Sequence, residues 1–297
     1  MTLDPVTKNL MPYPNFLIIG APKAGTTGLY KTLRQHPQIF LSQVKEPNFF
    51  MQPAHYNKIN NREDYLALFA NVKPQYLAVG EASVQYLGDE EAAWNIHQAI
   101  PDVRLIAVLR QPAERIYSHF LMYLRLKRET ITDFATIVDV MTGVKNIPAE
   151  HSSLYIKESL YAANLRRYLA LFPQEQFHIS LYADWKKSPD QVVSDICSFL
   201  NVNPDLKLPI LRDNKSGLPI FPRLFHLLNT PNAVKNLFRK FFPLRLGKCI
   251  IDTASQLMLV KAPPLDPELR LRLTQFFRDD ILELQDLLDR DLSFWLS

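Results

Sequence analysis

"FLIIGAPKAGTTGLYKTL", residues 16–33, decides how the rest of the chain is read. Four apolar residues, Phe16 to Ile19, end in Gly20, and Gly25-Thr26-Thr27 opens a segment with helical apolar spacing. That order predicts the strand, loop and helix of a phosphate-binding site. In the common nucleoside-triphosphate loop, G-x-x-x-x-G-K-[ST], the lysine follows the second glycine. Here Gly20 and Gly25 keep the spacing, Thr26 takes the lysine's position, and the cation is Lys23, inside the loop. The N–H groups of Ala24, Gly25, Thr26 and Thr27 are expected to converge at the helix start, where the macrodipole favours an anion. Lys23 would then lie beside the oxygen that joins this phosphate to another group, and a cation there offsets charge developing on a leaving group. The alternative is a strand-turn-helix whose glycine only caps a turn.

Short apolar runs recur outward from this loop. "YLAVGEA" (76–82), "VRLIAVLR" (103–110) and "FHISLY" (177–182) read as buried strands, separated by helical patterns such as "EEAAWNIHQAI" and "AERIYSHFLMYLR". The expected fold is α/β, of the P-loop type, with a mostly parallel central sheet between helices in three layers. The chain has 297 residues, 47% of them hydrophobic and 22% charged, ample for a full core without covalent staples. Its two cysteines, Cys197 and Cys249, have no metal or disulfide spacing, which suits a reducing cytosol. The first 15 residues lack a signal-like apolar stretch, and no apolar run of about 18 residues follows. A cytoplasmic protein is expected. Neither an Asp-rich strand end of the magnesium-holding kind nor a His/Cys cluster accompanies the loop, so no metal is expected.

A second constellation is "RLIAVLRQPAERIYSHF". Its strand ends in Arg110, it turns through Pro112, and Ser118 follows about two turns into the next helix. Arginine at the carboxyl end of a parallel strand points into the crevice where ligands bind, and its fork suits a phosphate. Ser118 adds a hydroxyl. For Arg110 the alternative is a surface ion pair with Glu114. With the first loop, these residues describe a site for two separated phosphate groups.

In these strings the chain resembles sulfotransferases that use 3′-phosphoadenosine 5′-phosphosulfate (PAPS), in particular the branch shared by bacterial proteins and the heparan sulfate enzymes. The resemblance rests on "GAPKAGTTGLYKTLRQHP", "VKEPNFF", "RQPAERIYSHFLMYLR", "LYAANLRRYLALFPQEQFHISLYADWKKSP" and the closing "LSFWL". It implies that Lys23, Ala24, Gly25, Thr26 and Thr27 hold the 5′-phosphosulfate and that Arg110 and Ser118 hold the 3′-phosphate. The product would be adenosine 3′,5′-bisphosphate. By the same likeness Glu46, in "VKEPNFF", takes the proton from an acceptor hydroxyl on a carbohydrate, lipid or small molecule. The rival readings are a loop acid paired with Lys45, or His119 or His55 as the base. Lys215, Ser216 and Gly217 resemble the late lysine-glycine loop that covers the donor. Residues 1–297 are thus expected to form a single sulfotransferase domain. It would comprise a nucleotide-binding core (14–200), a basic, proline-punctuated cover or acceptor segment (203–262) and a helical end (263–297).

One departure stands out. Polysaccharide enzymes often carry a lysine after the glutamate of a strand-ending "EKS", whereas this chain reads Glu81-Ala82-Ser83. A cation for an anionic sugar is missing, which points away from a heparan-like acceptor. Two alternatives from other classes share the loop-and-sheet plan, a kinase-like phosphoryl transferase and a non-catalytic nucleotide-binding protein.

Charge is unevenly distributed. Residues 214–251 hold no Asp or Glu, and Lys215, Arg223, Lys235, Arg239, Lys240, Arg245 and Lys248 contribute +7 there against +4 for the whole chain. In "AVKNLFRKFFPLRLGK" these cations alternate with phenylalanine and leucine, so 223–248 is a candidate wall of the acceptor site and a peripheral contact with an anionic membrane. The alternative is apolar core residues flanked by solvated cations. Nucleic acid is not among the expected partners.

Overall fold

In a computed structural model, the structure describes residues 13–51, 59–148, 150–211, 217–219 and 259–297. His55, Lys215, Ser216, Cys249 and the basic segment 223–248 lie outside the described residues. The elements are, in order, β1 (Phe16–Gly20), α1 (Thr26–Leu33), β2 (Ile39–Leu41), α2 (Arg62–Ala67), β3 (Ala78–Ala82), α3 (Ala92–Ala99), β4 (Arg104–Leu109), α4 (Pro112–Arg125), α5 (Phe134–Met141), α6 (Ser152–Lys157), α7 (Tyr161–Leu169), β5 (Phe177–Leu181), α8 (Tyr182–Lys187), α9 (Pro189–Phe199), β6 (Gly217–Pro219), β7 (Leu259–Lys261), α10 (Pro267–Phe276) and α11 (Arg278–Leu288).

The described chain divides into two compact units. The first holds Met1–Gln111, Lys157–Asp213 and Phe277–Leu296. Its five-stranded sheet runs β2-β3-β1-β4-β5, with every pair parallel. This is the helix-covered parallel α/β sheet that the apolar runs predicted. Strands buried on both faces read as continuous apolar runs, and Phe16, Leu17, Ile18 and Ile19 have no exposed surface. Each such side chain contributes about 1.5–3 kcal/mol relative to an exposed one. β2 escaped the sequence reading because three residues are too few to show a period. The strand order reverses beside β1: the chain leaves β1 towards β2 on one side and leaves β4 towards β5 on the other. Ligands of open α/β sheets bind at such a switch point, outside the carboxyl ends of the strands.

Helix α7 is fixed to α11, where the carboxylate of Asp280 accepts from the N–H groups of Ala162 and Ala163, both at 3.3 Å, and Arg166 pairs with Glu283 at 2.7 Å. The carboxylate sits at a helix N-terminus, where the backbone has spare donors.

The second unit holds Pro112–Ile156, Asn214–Phe276 and Ser297. In it α10 packs on α4 and α5, and β6 packs on α4 and pairs antiparallel with β7. Arg272 on α10 donates to Asp139 on α5 at 2.7 Å, and Asp133 caps α5 by accepting from the N–H groups of Ala135 and Thr136.

Close packing between β3 and β1 depends on Gly80, which is in register with Phe16. A Cβ there would lie 2.5 Å from the Phe16 ring and 2.6 Å from its carbonyl oxygen, and backbone cannot yield cheaply. Gly80→Ala is therefore expected to destabilise the protein by about 1–3 kcal/mol, measured as a lower urea midpoint at unchanged slope. An unchanged midpoint would show that the sheet absorbs the methyl group.

Candidate functional site

The loop after β1 lies at the switch point. Gly25 precedes α1 with φ 87°, Lys23 has φ 66°, and no acidic residue occupies the first turn of α1. Gly25 is required twice over. Its φ favours glycine, and a Cβ would lie 3.0 Å from the Tyr182 ring and 3.2 Å from the Trp185 ring. Ala24 is fully buried, and its N–H, expected to converge on the anion with those of Gly25, Thr26 and Thr27, turns instead to the Ala21 carbonyl at 3.3 Å, closing the loop. Gly28 and Leu29 N–H groups both turn to the Gly25 carbonyl, at 3.0 and 3.3 Å. Between them come Gly25, Thr26 and Thr27, whose N–H groups occupy the positions a helix start leaves for an outside acceptor. Lys23 is half-buried.

Arg110 closes β4 on the other side of the switch point. Its guanidinium donates to the Lys23 carbonyl at 3.1 Å and lies 4.7 Å from the centre of the Tyr182 ring. The Arg110 carbonyl accepts from the Tyr161 hydroxyl at 2.9 Å, and Gln111 donates to the Trp295 carbonyl at 3.3 Å. The closing "LSFWL" thus buttresses the strand end that carries Arg110. Tyr182 itself is placed by α8, where Asp184 accepts two bonds from Arg290, at 3.0 and 2.8 Å, and a third from the Leu181 N–H at 3.2 Å. Sequence reasoning assigned Tyr182 and Trp185 no role. The signals available were the place of Tyr182 at the carboxyl end of "FHISLY" and of both residues in "HISLYADWKKSP", part of a string that carries the resemblance.

Glu46 belongs to the same unit. Its N–H donates to the Ala82 carbonyl at 2.8 Å, its φ is 58°, and its side chain, about one-third exposed, is ion-paired with Lys45. The pairing set out as an alternative for Glu46 is therefore present, in a turn bonded to the end of β3. In the second unit, Ser118 is buried on α4, one turn from Arg115, and Gly217 lies on β6, which packs against that helix. His119 is buried, contacts Arg115 at 3.2 Å and stands edge-on to the rings of Tyr123 and Tyr155. Arg115, with no exposed surface, also donates to the Tyr155 carbonyl at 2.8 Å, and the Tyr155 hydroxyl donates to Glu129 at 2.9 Å. His119 is thus packed into an aromatic, hydrogen-bonded cluster.

Sequence reasoning also passed over Glu81, naming it only as the residue before the missing lysine. It has no exposed surface although its strand neighbours are apolar, and the Ser83 hydroxyl donates to its Oε2 at 2.8 Å. Burial raises its pKa from the ordinary 4.5 to about 7, opposed by hydrogen bonds from Ser83 and Tyr86 and by the charge of Lys45. The available signal was a glutamate inside an apolar strand.

With this geometry in view, three comparisons bear on the chain. The sulfotransferase domain family matches residues 13–213. The human bifunctional heparan sulfate N-deacetylase/N-sulfotransferase 3 is 26% identical over 295 residues, covering 95% of this chain and 31% of that protein. Human carbohydrate sulfotransferase 15 is 28% identical over 249 residues, covering 64% of this chain and 44% of that protein. The chain spans less than half the length of these curated relatives. A crystal structure of a sulfotransferase from Alicyclobacillus acidocaldarius superimposes with a TM-score of 0.71 at 29% identity, covering 96% of this chain and all of that one. No helix among the described residues is long and apolar enough to cross a membrane.

The buried carboxylate has a pH signature. Because the folded pKa of Glu81 lies above the unfolded value, its contribution to stability is fully present below pH 4.5 and is lost as pH rises through about 7. Glu81→Gln removes that dependence. The variant is expected to gain up to about 3 kcal/mol relative to the parent between pH 4.5 and pH 8, read from urea midpoints at both values. An equal parent-to-variant difference at the two pH values would contradict the burial argument.

Proposed function

The chain belongs to the sulfotransferase family, and from that premise we propose that it moves a sulfuryl group from PAPS to an acceptor hydroxyl, leaving adenosine 3′,5′-bisphosphate. The observation that carries the proposal is the joining of two cationic ends at one switch point, the Lys23 loop after β1 and Arg110 at the end of β4, linked by the bond from the Arg110 guanidinium to the Lys23 carbonyl. A donor with phosphate groups at both ends of a ribose fits such a pair.

In this reading the N–H groups of Gly25, Thr26 and Thr27 bind the 5′-phosphosulfate at the start of α1. Arg110 binds the 3′-phosphate with help from Ser118, and Lys215, Ser216 and Gly217 cover the donor. Glu46 takes the proton of the acceptor hydroxyl as its oxygen attacks sulfur. The bond from sulfur to the bridging oxygen breaks, and Lys23 neutralises the charge left on that oxygen. Ala82 in place of a lysine beside Glu81 favours a neutral acceptor over a polyanion, although relatives named for heparan sulfate are among the matches. The basic segment 223–248 is assigned to the acceptor side, with an anionic membrane as its further contact.

Two variants test the chemistry, with ³⁵S-labelled PAPS as donor and octyl glucoside, 4-nitrophenol, N-desulfated heparan and water as acceptors. Lys23→Ala is expected to lower turnover by about two orders of magnitude or more, the scale seen when a preorganised charge is removed. Glu46→Gln is expected to abolish nearly all transfer while affinity for adenosine 3′,5′-bisphosphate stays within about twofold, since the base acts on the acceptor. Near-normal turnover in folded Glu46→Gln protein would remove Glu46 as the base.

A further inference from the structure

We propose that Glu81 is a positioning residue for the transfer reaction, holding from inside the sheet the turn that carries Glu46. The proposal rests on the reading of Glu46 as the base.

A carboxylate with no exposed surface, inside a strand otherwise made of Ala78, Val79, Gly80 and Ala82, is a costly choice for a merely structural position. What it touches explains its presence. Glu81 Oε2 accepts the Ser83 hydroxyl hydrogen at 2.8 Å, and the Ser83 oxygen accepts the Asn48 N–H at 3.0 Å. Asn48 and Glu46 both have left-handed backbone, with φ 56° and 58°, a conformation non-glycine residues keep only when their surroundings fix it. The fixing contacts are this relay through Ser83 and the bond from the Glu46 N–H to the Ala82 carbonyl at 2.8 Å. Asn48 is also held by its side chain, which donates to Gln85 at 3.2 Å. The turn is thus tied to the end of β3 at several points, and the only ionisable member of the relay is Glu81.

The second carboxylate oxygen, Oε1, and the Tyr65 hydroxyl are likewise buried. The groups facing Glu81 are Lys45 and Glu46 from the turn after β2, Tyr86 after β3, Tyr65 on α2, Tyr30 on α1 and Tyr168 on α7. Burial pushes the ionisation of all four tyrosines upward, so in the neutral range they carry no charge. The charge that changes in this pocket near pH 7 is that of Glu81, with Lys45 favouring its ionised form and Glu46 opposing it. Once ionised, Glu81 accepts the Ser83 hydrogen bond as a charged acceptor, which tightens the relay to the turn that carries Glu46. Glu81 therefore acts on the reaction through the turn it holds and through its charge, without touching substrate.

The test compares the full-length parent with Glu81→Gln, Ser83→Ala and Glu46→Gln. It uses ³⁵S-labelled PAPS with water and octyl glucoside, whose hydroxyls stay protonated throughout, as acceptors between pH 5.5 and 8.5. The parent is expected to gain rate through an inflection near pH 7, the range in which Glu81 titrates. Glu81→Gln should lose the inflection and about tenfold in kcat at pH 8, with donor KM within about twofold and a urea midpoint at pH 8 above the parent's. A residue serving only the fold would lower stability and rate together, so a more stable but slower variant is the signature of positioning. Ser83→Ala, which breaks the relay but leaves the titrating group, should lower kcat at every pH and keep the inflection. If Glu46→Gln abolishes transfer while Glu81→Gln keeps both the parent's kcat and its inflection, the base assignment stands and the role of Glu81 is overturned. If Glu46→Gln itself retains transfer, the base assignment falls and this proposal with it.

Discussion

The bond from the Arg110 guanidinium to the Lys23 carbonyl, 3.1 Å long, joins the two strand ends on which the site depends. β1 and β4 are neighbours whose connections leave in opposite directions, so their carboxyl ends open a crevice. The bond fixes the loop after β1 against the residue that follows β4. Tyr182 reinforces it from below, with one ring set against both Gly25 and the Arg110 guanidinium. A larger residue at position 25 would meet that ring at 3.0 Å, so the left-handed turn, the aromatic support and the cation form one unit. The C-terminal residues serve the same end, since Trp295 accepts from Gln111 and Arg290 anchors Asp184 on α8.

Electrostatics divide this unit into two regions. Cations gather at the switch point, where Lys23 and Arg110 suit an anionic donor. Carboxylates gather at the neighbouring end of β3, where Glu46 is about one-third exposed and paired with Lys45 while Glu81 is buried. Under the proposed function, this places a proton acceptor beside cationic phosphate sites, the division of labour that transfer to a hydroxyl would use. The cost is borne by stability, because a buried carboxylate weakens the fold as pH rises through its pKa.

Much of this was legible in the residues, and the limits have physical causes. The strands at Phe16–Gly20, Ala78–Ala82, Arg104–Leu109 and Phe177–Leu181 announced themselves because burial on both faces leaves continuous apolar runs. The shifted lysine was visible because the glycine spacing of the loop is rigid. β2 was not visible, since three residues carry no period. The roles of Tyr182 and Trp185 were missed because their contact with Gly25 spans about half the chain, and no local pattern records it. Glu81 was read only as the residue before an absent lysine. Its burial depends on α1, α2, α7 and the Glu46 turn closing around β3, which is a tertiary fact. For Glu46 the sequence offered two readings, a base and a partner of Lys45, and the structure contains the ion pair in a turn bonded to β3.

The most direct test of the two-ended site is equilibrium binding of adenosine 3′,5′-bisphosphate and adenosine 5′-monophosphate to the parent and to Arg110→Ala, with excess chelator present. On the proposed reading both ligands would occupy the loop after β1, and only the bisphosphate carries the group assigned to Arg110. The parent is expected to bind the bisphosphate more tightly by about tenfold or more, on the scale of a charge-assisted fork, and Arg110→Ala to bring the ratio close to one even if a loosened loop weakens both ligands. A ratio unchanged by Arg110→Ala would contradict the account and leave Arg110 as a structural clamp on the Lys23 loop.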